Sequence, residues 1–224
     1  MPEAALEIEI KLRAASAKEA RGCLRRLGAR ALRRVFERNT LFDTGDRALG
    51  RSGRLLRIRY ERVLGGARTS LRRSNASRKD RTRSGRQERG ILTFKSPAEG
   101  GTAAQPFGSR YKTRQEIELG IERPERAEQI LERLGYRAWF RYEKVRTSFR
   151  LPGLPRLVVE LDETPVGVFW ELEGPPEAID RAARVLGFGP GDYLTASYYE
   201  LFLAERERVG LGAEAMVFPR KKNR

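Results

Sequence analysis

Histidine is absent from the 224 residues, and cysteine occurs once, at Cys23. The first absence removes imidazole as a general acid or base and as a metal ligand. The second excludes an intrachain disulfide and a thiolate-held zinc site within one chain. Cys23 falls in a helical pattern, where a small buried residue is expected. Hydrophobic runs are short. No segment approaches the ~20 apolar residues of a membrane-spanning helix, and the N-terminus lacks a basic-then-apolar leader pattern. A soluble cytoplasmic protein is the expectation. No P-loop and no glycine-rich dinucleotide turn is present. Any bound phosphate must therefore meet side chains on strands. Any bound metal must be held by carboxylates, which favours Mg²⁺ or Mn²⁺.

What is abundant is charge. Charged residues make up 34% of the chain against 39% hydrophobic, and the formal net charge is +16. A core is feasible under a heavy charge load. The length allows one large domain or two small ones. The positive excess favours anionic partners such as nucleic acid, nucleotides or polyphosphate, without choosing among them. Arginine predominates over lysine, which suits bidentate phosphate binding and equally fits a GC-rich genome.

The charges are patterned. Glu7-Ile8-Glu9-Ile10-Lys11 alternates with period two, so a strand puts Ile8, Ile10 and Leu12 on one face and Glu7, Glu9 and Lys11 on the other. The pattern recurs. In Arg54–Tyr60, Leu55, Arg57 and Arg59 oppose Leu56, Ile58 and Tyr60. In Gly90–Ser96, Thr93 and Lys95 oppose Leu92 and Phe94. Arg114, Glu116 and Glu118 share a phase in Tyr111–Ile121, as do Lys144 and Arg146 in Ala138–Arg150. Glu160 and Asp162 oppose Val159 and Leu161, and Phe169, Glu171 and Glu173 oppose Trp170 and Leu172. Val35–Phe42 is a further strand. Helices are expected at Ala17–Leu27, capped by Ser16, at Pro124–Leu134, at Pro175–Leu186 and over 193–208. That gives about eight strands and four helices. Residues 62–90 read as a flexible basic insertion, either a polyanion contact or a tolerated solvated loop. Residues 97–110 read as a milder loop.

Strands of this kind either leave their charged faces wet or close into a barrel whose lumen collects them. Collected, the acids Glu7, Glu9, Glu116, Glu118, Glu160, Asp162, Glu171 and Glu173 nearly balance the bases Lys11, Arg57, Arg59, Lys95, Arg114, Lys144 and Arg146. A wet lumen of this composition suits a phosphate chain carrying a divalent cation.

The ordered set resembles the CYTH superfamily, the triphosphate tunnel metalloenzymes that include class IV adenylyl cyclases and thiamine triphosphatase. Glu7 to Lys11 matches its E-x-E-x-K motif. Asn39 to Thr44 resembles its second strand, Leu56 to Arg59 its paired-arginine strand, Leu92 to Lys95 its lysine strand and Arg114 to Glu118 its R-x-E-x-E strand. Glu143 to Arg146, Val159 to Asp162 and Phe169 to Gly174 follow in order, and Ser197 to Leu201 is similar to the C-terminal segment of the cyclase branch. The resemblance covers roughly residues 5–205.

The resemblance implies an α+β fold, a closed antiparallel eight-stranded β-barrel with flanking helices. It further implies Mg²⁺ or Mn²⁺ as cofactor and a triphosphate-containing small molecule as ligand. Glu7, Glu9, Glu171 and Glu173 are the metal candidates, with Asp162 or Glu160 as helpers. Lys11, Arg57, Arg59, Lys95, Arg114, Lys144 and Arg146 are the triphosphate candidates, and Lys11, Lys95 and Arg146 among them the catalytic ones. Glu116 and Glu118 are either ligands or partners of lumen arginines, and Tyr198 and Tyr199 anchors of the last helix. Residues 1–208 are expected to form one domain, followed by a basic tail at 209–224. The leading expectation is a metal-dependent triphosphatase acting on inorganic, nucleoside or thiamine triphosphate. The alternatives are a class IV-type adenylyl cyclase and a non-catalytic polyanion- or RNA-binding protein using the 62–90 insertion. No membrane partner is expected, and a homodimer stays open.

Overall fold

The structure describes residues 5–65, 88–98, 110–210 and 215–220. In this computed structural model eight antiparallel strands close into a barrel. In chain order they are β1 (Ala5–Ala14), β2 (Arg30–Asp43), β3 (Leu55–Gly65), β4 (Glu88–Pro97), β5 (Lys112–Ile121), β6 (Arg137–Arg150), β7 (Val158–Thr164) and β8 (Gly167–Glu173). The order around the barrel is β2-β3-β4-β5-β1-β8-β7-β6, and the pairing of β6 with β2 shuts it. A two-residue strand, β9 (Ala215–Met216), adds in parallel to β6. The helices are α1 (Ala17–Arg26), the single turn α2 (Ala48–Arg51), α3 (Pro124–Arg133), α4 (Pro176–Val185) and α5 (Tyr198–Val209).

Local chemistry sets the boundaries. The Ser16 side chain accepts the Glu19 amide and caps α1, and Gly28, at φ +68°, lets the chain leave it. Ser197 and Glu200 form a reciprocal capping box that starts α5. The last helix thus begins later than the expected residue 193. Before it, Leu194 exchanges two backbone hydrogen bonds of 2.8 Å with Lys11. This bridge takes the edge of β1 that β5 leaves free, since β5 pairs only with Ala5–Glu9.

The apolar phases face outward under the helices. Ile10, Leu12, Leu161, Trp170 and Leu172 pack with Ala20 and Leu24 of α1 and Ile179, Ala182 and Ala183 of α4. Ile58 and Tyr60 pack under Leu131 of α3. Phe140, Tyr142 and Phe169 belong instead to the inward phase and meet Tyr198, Leu201 and Phe202 of α5. Among the described residues none covers the outer face of β5 at Ile117 and Leu119, which are more than half exposed.

Two boundaries differ from expectation. Residues 62–65 and 88–90 are strand rather than loop, because the β3–β4 ladder continues through Glu61↔Arg89 and Arg62↔Glu88. The rest of the expected basic insertion, 66–87, lies outside the described residues, as do 99–109 of the second loop. The C-terminal stretch is docked in part. Met216 is fully buried, and the Phe218 amide donates to the Glu143 carboxylate at 3.0 Å; residues 221–224 are outside the description.

Candidate active site

The polar phases of the strands meet in a lumen cavity of about 530 Å³. Strand β1 supplies Glu7, Glu9 and Lys11, and β8 supplies Glu171 and Glu173. Their register sets Glu9 opposite Glu173 and Lys11 opposite Glu171, so one wall carries four carboxylates. Facing strands supply Arg57, Arg59, Lys95, Arg114, Lys144 and Arg146. Every triphosphate candidate from the sequence lines this cavity, and so do four of the five principal metal candidates.

The wall is held by ion pairs. Lys11 Nζ lies 2.9 Å from Glu9 Oε1 and 3.2 Å from Glu171 Oε2. Lys95 contacts Glu7 and lies 3.2 Å from Glu116. Burial, the largest single influence, would raise the Glu9 carboxyl, but the ammonium groups of Lys11, Lys112 and Lys95 together outweigh it and bring it down to about 2. Glu173 behaves differently. It makes no ion pair among the described residues. Burial, then the neighbouring charges of Glu7 and Glu171, push its carboxyl up to about 7.

Asp162 shares the inward phase but does not line the cavity. It is fully buried. Its carboxylate accepts from Lys144 Nζ at 2.9 Å, from Arg146 at 2.7 and 2.6 Å, and from the Tyr198 hydroxyl. Glu160 is also buried outside the lining, and one of its oxygens has no hydrogen-bond partner. Glu116 and Glu118 line the cavity and approach Arg57 at 3.9 and 3.6 Å.

Several lumen residues escape sequence reasoning. Glu37 on β2 is buried within 3.5 Å of Arg59, 3.6 Å of Lys144 and 3.9 Å of Arg146. Lys112 on β5 lies 3.3 Å from Glu9; it is in phase with Arg114, and that phase was the available signal. Tyr198 does more than anchor α5. Its ring centroid lies 5.3 Å from Lys11 Nζ and 4.8 Å from Lys144 Nζ, close enough for cation–π attraction to both.

A family model described as the CYTH domain matches residues 5–186. The chain belongs to the CYTH family. No curated protein sequence matches this CYTH chain. Among solved structures, a protein from Pyrococcus horikoshii is 23% identical with a TM-score of 0.65, over 89% of this chain and 99% of its own. A protein from Vibrio parahaemolyticus, described as a candidate adenylate cyclase, is 17% identical with a TM-score of 0.64, over 90% of this chain and 99% of its own. A Hippeastrum protein, described as a candidate adenylyl cyclase with a dominant triphosphatase activity, is 22% identical with a TM-score of 0.55, over 88% of this chain and 95% of its own. At these identities the likeness is one of fold.

CYTH proteins as a family bind triphosphates and are metal-dependent. The donor set of this CYTH barrel fits a hard divalent cation. Glu7, Glu9, Glu171 and Glu173 offer only carboxylate oxygens. Among the described residues no three carboxylates converge closely enough to chelate an ion by themselves. An Mg²⁺-type ion bound with a phosphate substrate needs only one or two, because phosphate oxygens and water fill the remaining positions. No helix among the described residues is long and apolar enough to cross a membrane.

Proposed function

We propose that this CYTH protein is a divalent-metal-dependent triphosphate hydrolase that holds the phosphate chain inside the barrel. One observation carries the reading. Seven lysines and arginines of the expected triphosphate set line the same cavity as four carboxylates of the expected metal set. A cavity with both charges is self-neutralised when empty of ligand, and it offers an anion and a cation each a ready partner.

Arg57, Arg59, Arg114 and Lys144 bind and align the phosphate oxygens. Lys11, Lys95 and Arg146 exchange their wall carboxylates for phosphate oxygens and stabilise charge developing at the scissile bridge. Release of Lys11, Lys95 and Arg146 would free Glu7, Glu9 and Glu171 to join Glu173, unpaired among the described residues, in holding Mg²⁺ or Mn²⁺. Bound there, the ion supplies polarisation of the phosphate and orientation of the attacking water. Catalysis then rests on positioning and fixed charge. The dominant triphosphatase activity described for the Hippeastrum protein supports hydrolysis over cyclisation.

The test is release of phosphate and pyrophosphate from tripolyphosphate and ATP, with Mg²⁺ and then Mn²⁺, with nucleotide products resolved. Phosphate is the expected product, lost in Glu9→Gln and Glu171→Gln. Cyclic AMP with pyrophosphate would replace this reading with the cyclase. Unchanged rates in both variants would remove the site assignment.

A further inference from the structure

One corner of the cavity is lined mainly by aromatic and apolar side chains. Trp139, Tyr199, Leu41 and Leu55 line it together with Arg47. Trp139 is there because of a register slip. Alternation back from Arg146, Lys144 and Tyr142 reaches Phe140 and turns Trp139 away from the lumen. On β2, however, Leu41 faces Phe140 and Phe42 faces Ala138, which leaves Trp139 without a partner. An extra residue of this kind re-aims a side chain, and such bulges gather at barrel rims and active sites.

Arg47 is a second departure from regular structure. It is the only non-glycine residue with positive φ, +63°, among the described residues, a conformation that needs outside support. Asp43 provides it. Its buried carboxylate accepts the amides of Thr44, Leu49 and Gly50 at 2.8 to 2.9 Å and Arg47 Nε at 3.2 Å. The Arg47 guanidinium lies 3.3 Å from the Trp139 ring centroid, and Tyr199 meets the indole edge-on at 4.7 Å and 86°. The Arg47 side chain is still 39% exposed, so a ligand can reach it.

Along β6 the lumen side chains run Trp139, Tyr142, Lys144, Arg146. At about 3.3 Å per residue, Trp139 and Lys144 are spaced roughly 16 Å apart along the strand. A phosphate chain offers no flat or apolar surface to the indole and phenol ring faces or to leucine. A cavity of about 530 Å³ is also of the size that encloses an organic ligand.

We propose that Arg47, Trp139 and Tyr199 form a subsite that stacks a planar aromatic group attached to the phosphate chain, so that the preferred substrate is an aromatic organic triphosphate and not inorganic triphosphate. This rests on the triphosphate reading above. Stacking of ordinary strength is worth roughly 5- to 150-fold in affinity.

Calorimetric titration with tripolyphosphate, ATP and thiamine triphosphate, with metal chelated so that turnover does not intervene, tests it. The proteins are wild type, Trp139→Ala, Arg47→Gly and Lys144→Met. Glycine adopts positive φ freely, so Arg47→Gly removes the guanidinium and keeps the loop. The wild type is expected to bind at least one organic triphosphate 5-fold or more tighter than tripolyphosphate. Both rim variants should erase that margin and leave tripolyphosphate within 2-fold. Equal affinity for all three ligands in the wild type, or equal losses for all three in the rim variants, overturns the subsite. Lys144→Met should weaken every ligand alike. If it weakens none, the phosphate placement fails, while the margin between ligands still decides the rim. No binding of any ligand to the wild type overturns both.

Discussion

Asp162 and Glu173 stand on neighbouring strands, both turned inward, and they live in opposite electrostatic worlds. Asp162 is saturated by Lys144, Arg146 and Tyr198. Glu173 has like charges for neighbours and a carboxyl pushed up to about 7 by burial and by Glu7 and Glu171. Asp162, fully buried outside the cavity lining and ringed by fixed cations, is part of the frame. A carboxylate left short of cations is suited to a cation that arrives with a ligand. The number of acids in the lumen therefore says less about function than which of them the protein has already neutralised.

The sharpest way to break this comparison is to remove each carboxylate charge in turn. Asp162→Asn leaves Lys144 and Arg146 buried without their main partner. We expect a loss of about 3 to 5 kcal/mol in urea denaturation. Glu173→Gln should stay within about 1 kcal/mol of wild type in the same experiment, because it removes repulsion and no ion pair. Its metal-dependent phosphate release should fall about a hundredfold, about 2.7 kcal/mol in the barrier. If the two variants unfold alike, the division into frame and ligand site is wrong.

Glu37 sharpens the comparison through pH. Burial would raise its carboxyl, but Arg59, Lys144 and Arg146 outweigh burial and hold it well below the usual 4.5. A depressed folded value means that its contribution is complete above about pH 4.5 and is lost as pH falls toward the folded value. The stability difference between wild type and Glu37→Gln should therefore shrink between about pH 5 and pH 3. A constant difference over that range would uncouple Glu37 from its cations. The smallest effect is expected from Tyr198→Phe, which removes one hydrogen bond to Asp162 and keeps the ring near both lysines. It should cost about 1 kcal/mol of stability and leave tripolyphosphate affinity within about 2-fold by calorimetry.

The barrel was legible wherever a strand alternates apolar with charged residues. β1, β3 and β8 do so along their lumen stretches, and their inward residues were read correctly. β2 does not. Arg38 and Thr40 are polar on its outer phase, so nothing in Glu37, Asn39 and Leu41 marks them as the inner one. Trp139 was unreadable for a different reason. Its place depends on a bulge, which breaks the period-two pattern on which the assignment rests. Arg47 belongs to a turn and follows no period at all. For Asp162 the phase was visible and the environment was not. A carboxylate on the inner face reads the same from sequence whether it awaits a ligand or already has four donors.

The bridge between Leu194 and Lys11 bears on how the protein is made. β1 leaves the ribosome before every other strand of the barrel, yet the partner for its free edge, and the tyrosine that sits against Lys11, follow the last of those strands. Until residues 194–198 emerge, Lys11 lacks both its backbone clasp and its aromatic neighbour. The cavity is therefore completed late in synthesis, and a chain stopped at residue 186, though it holds every strand of the barrel, should carry an unfinished site.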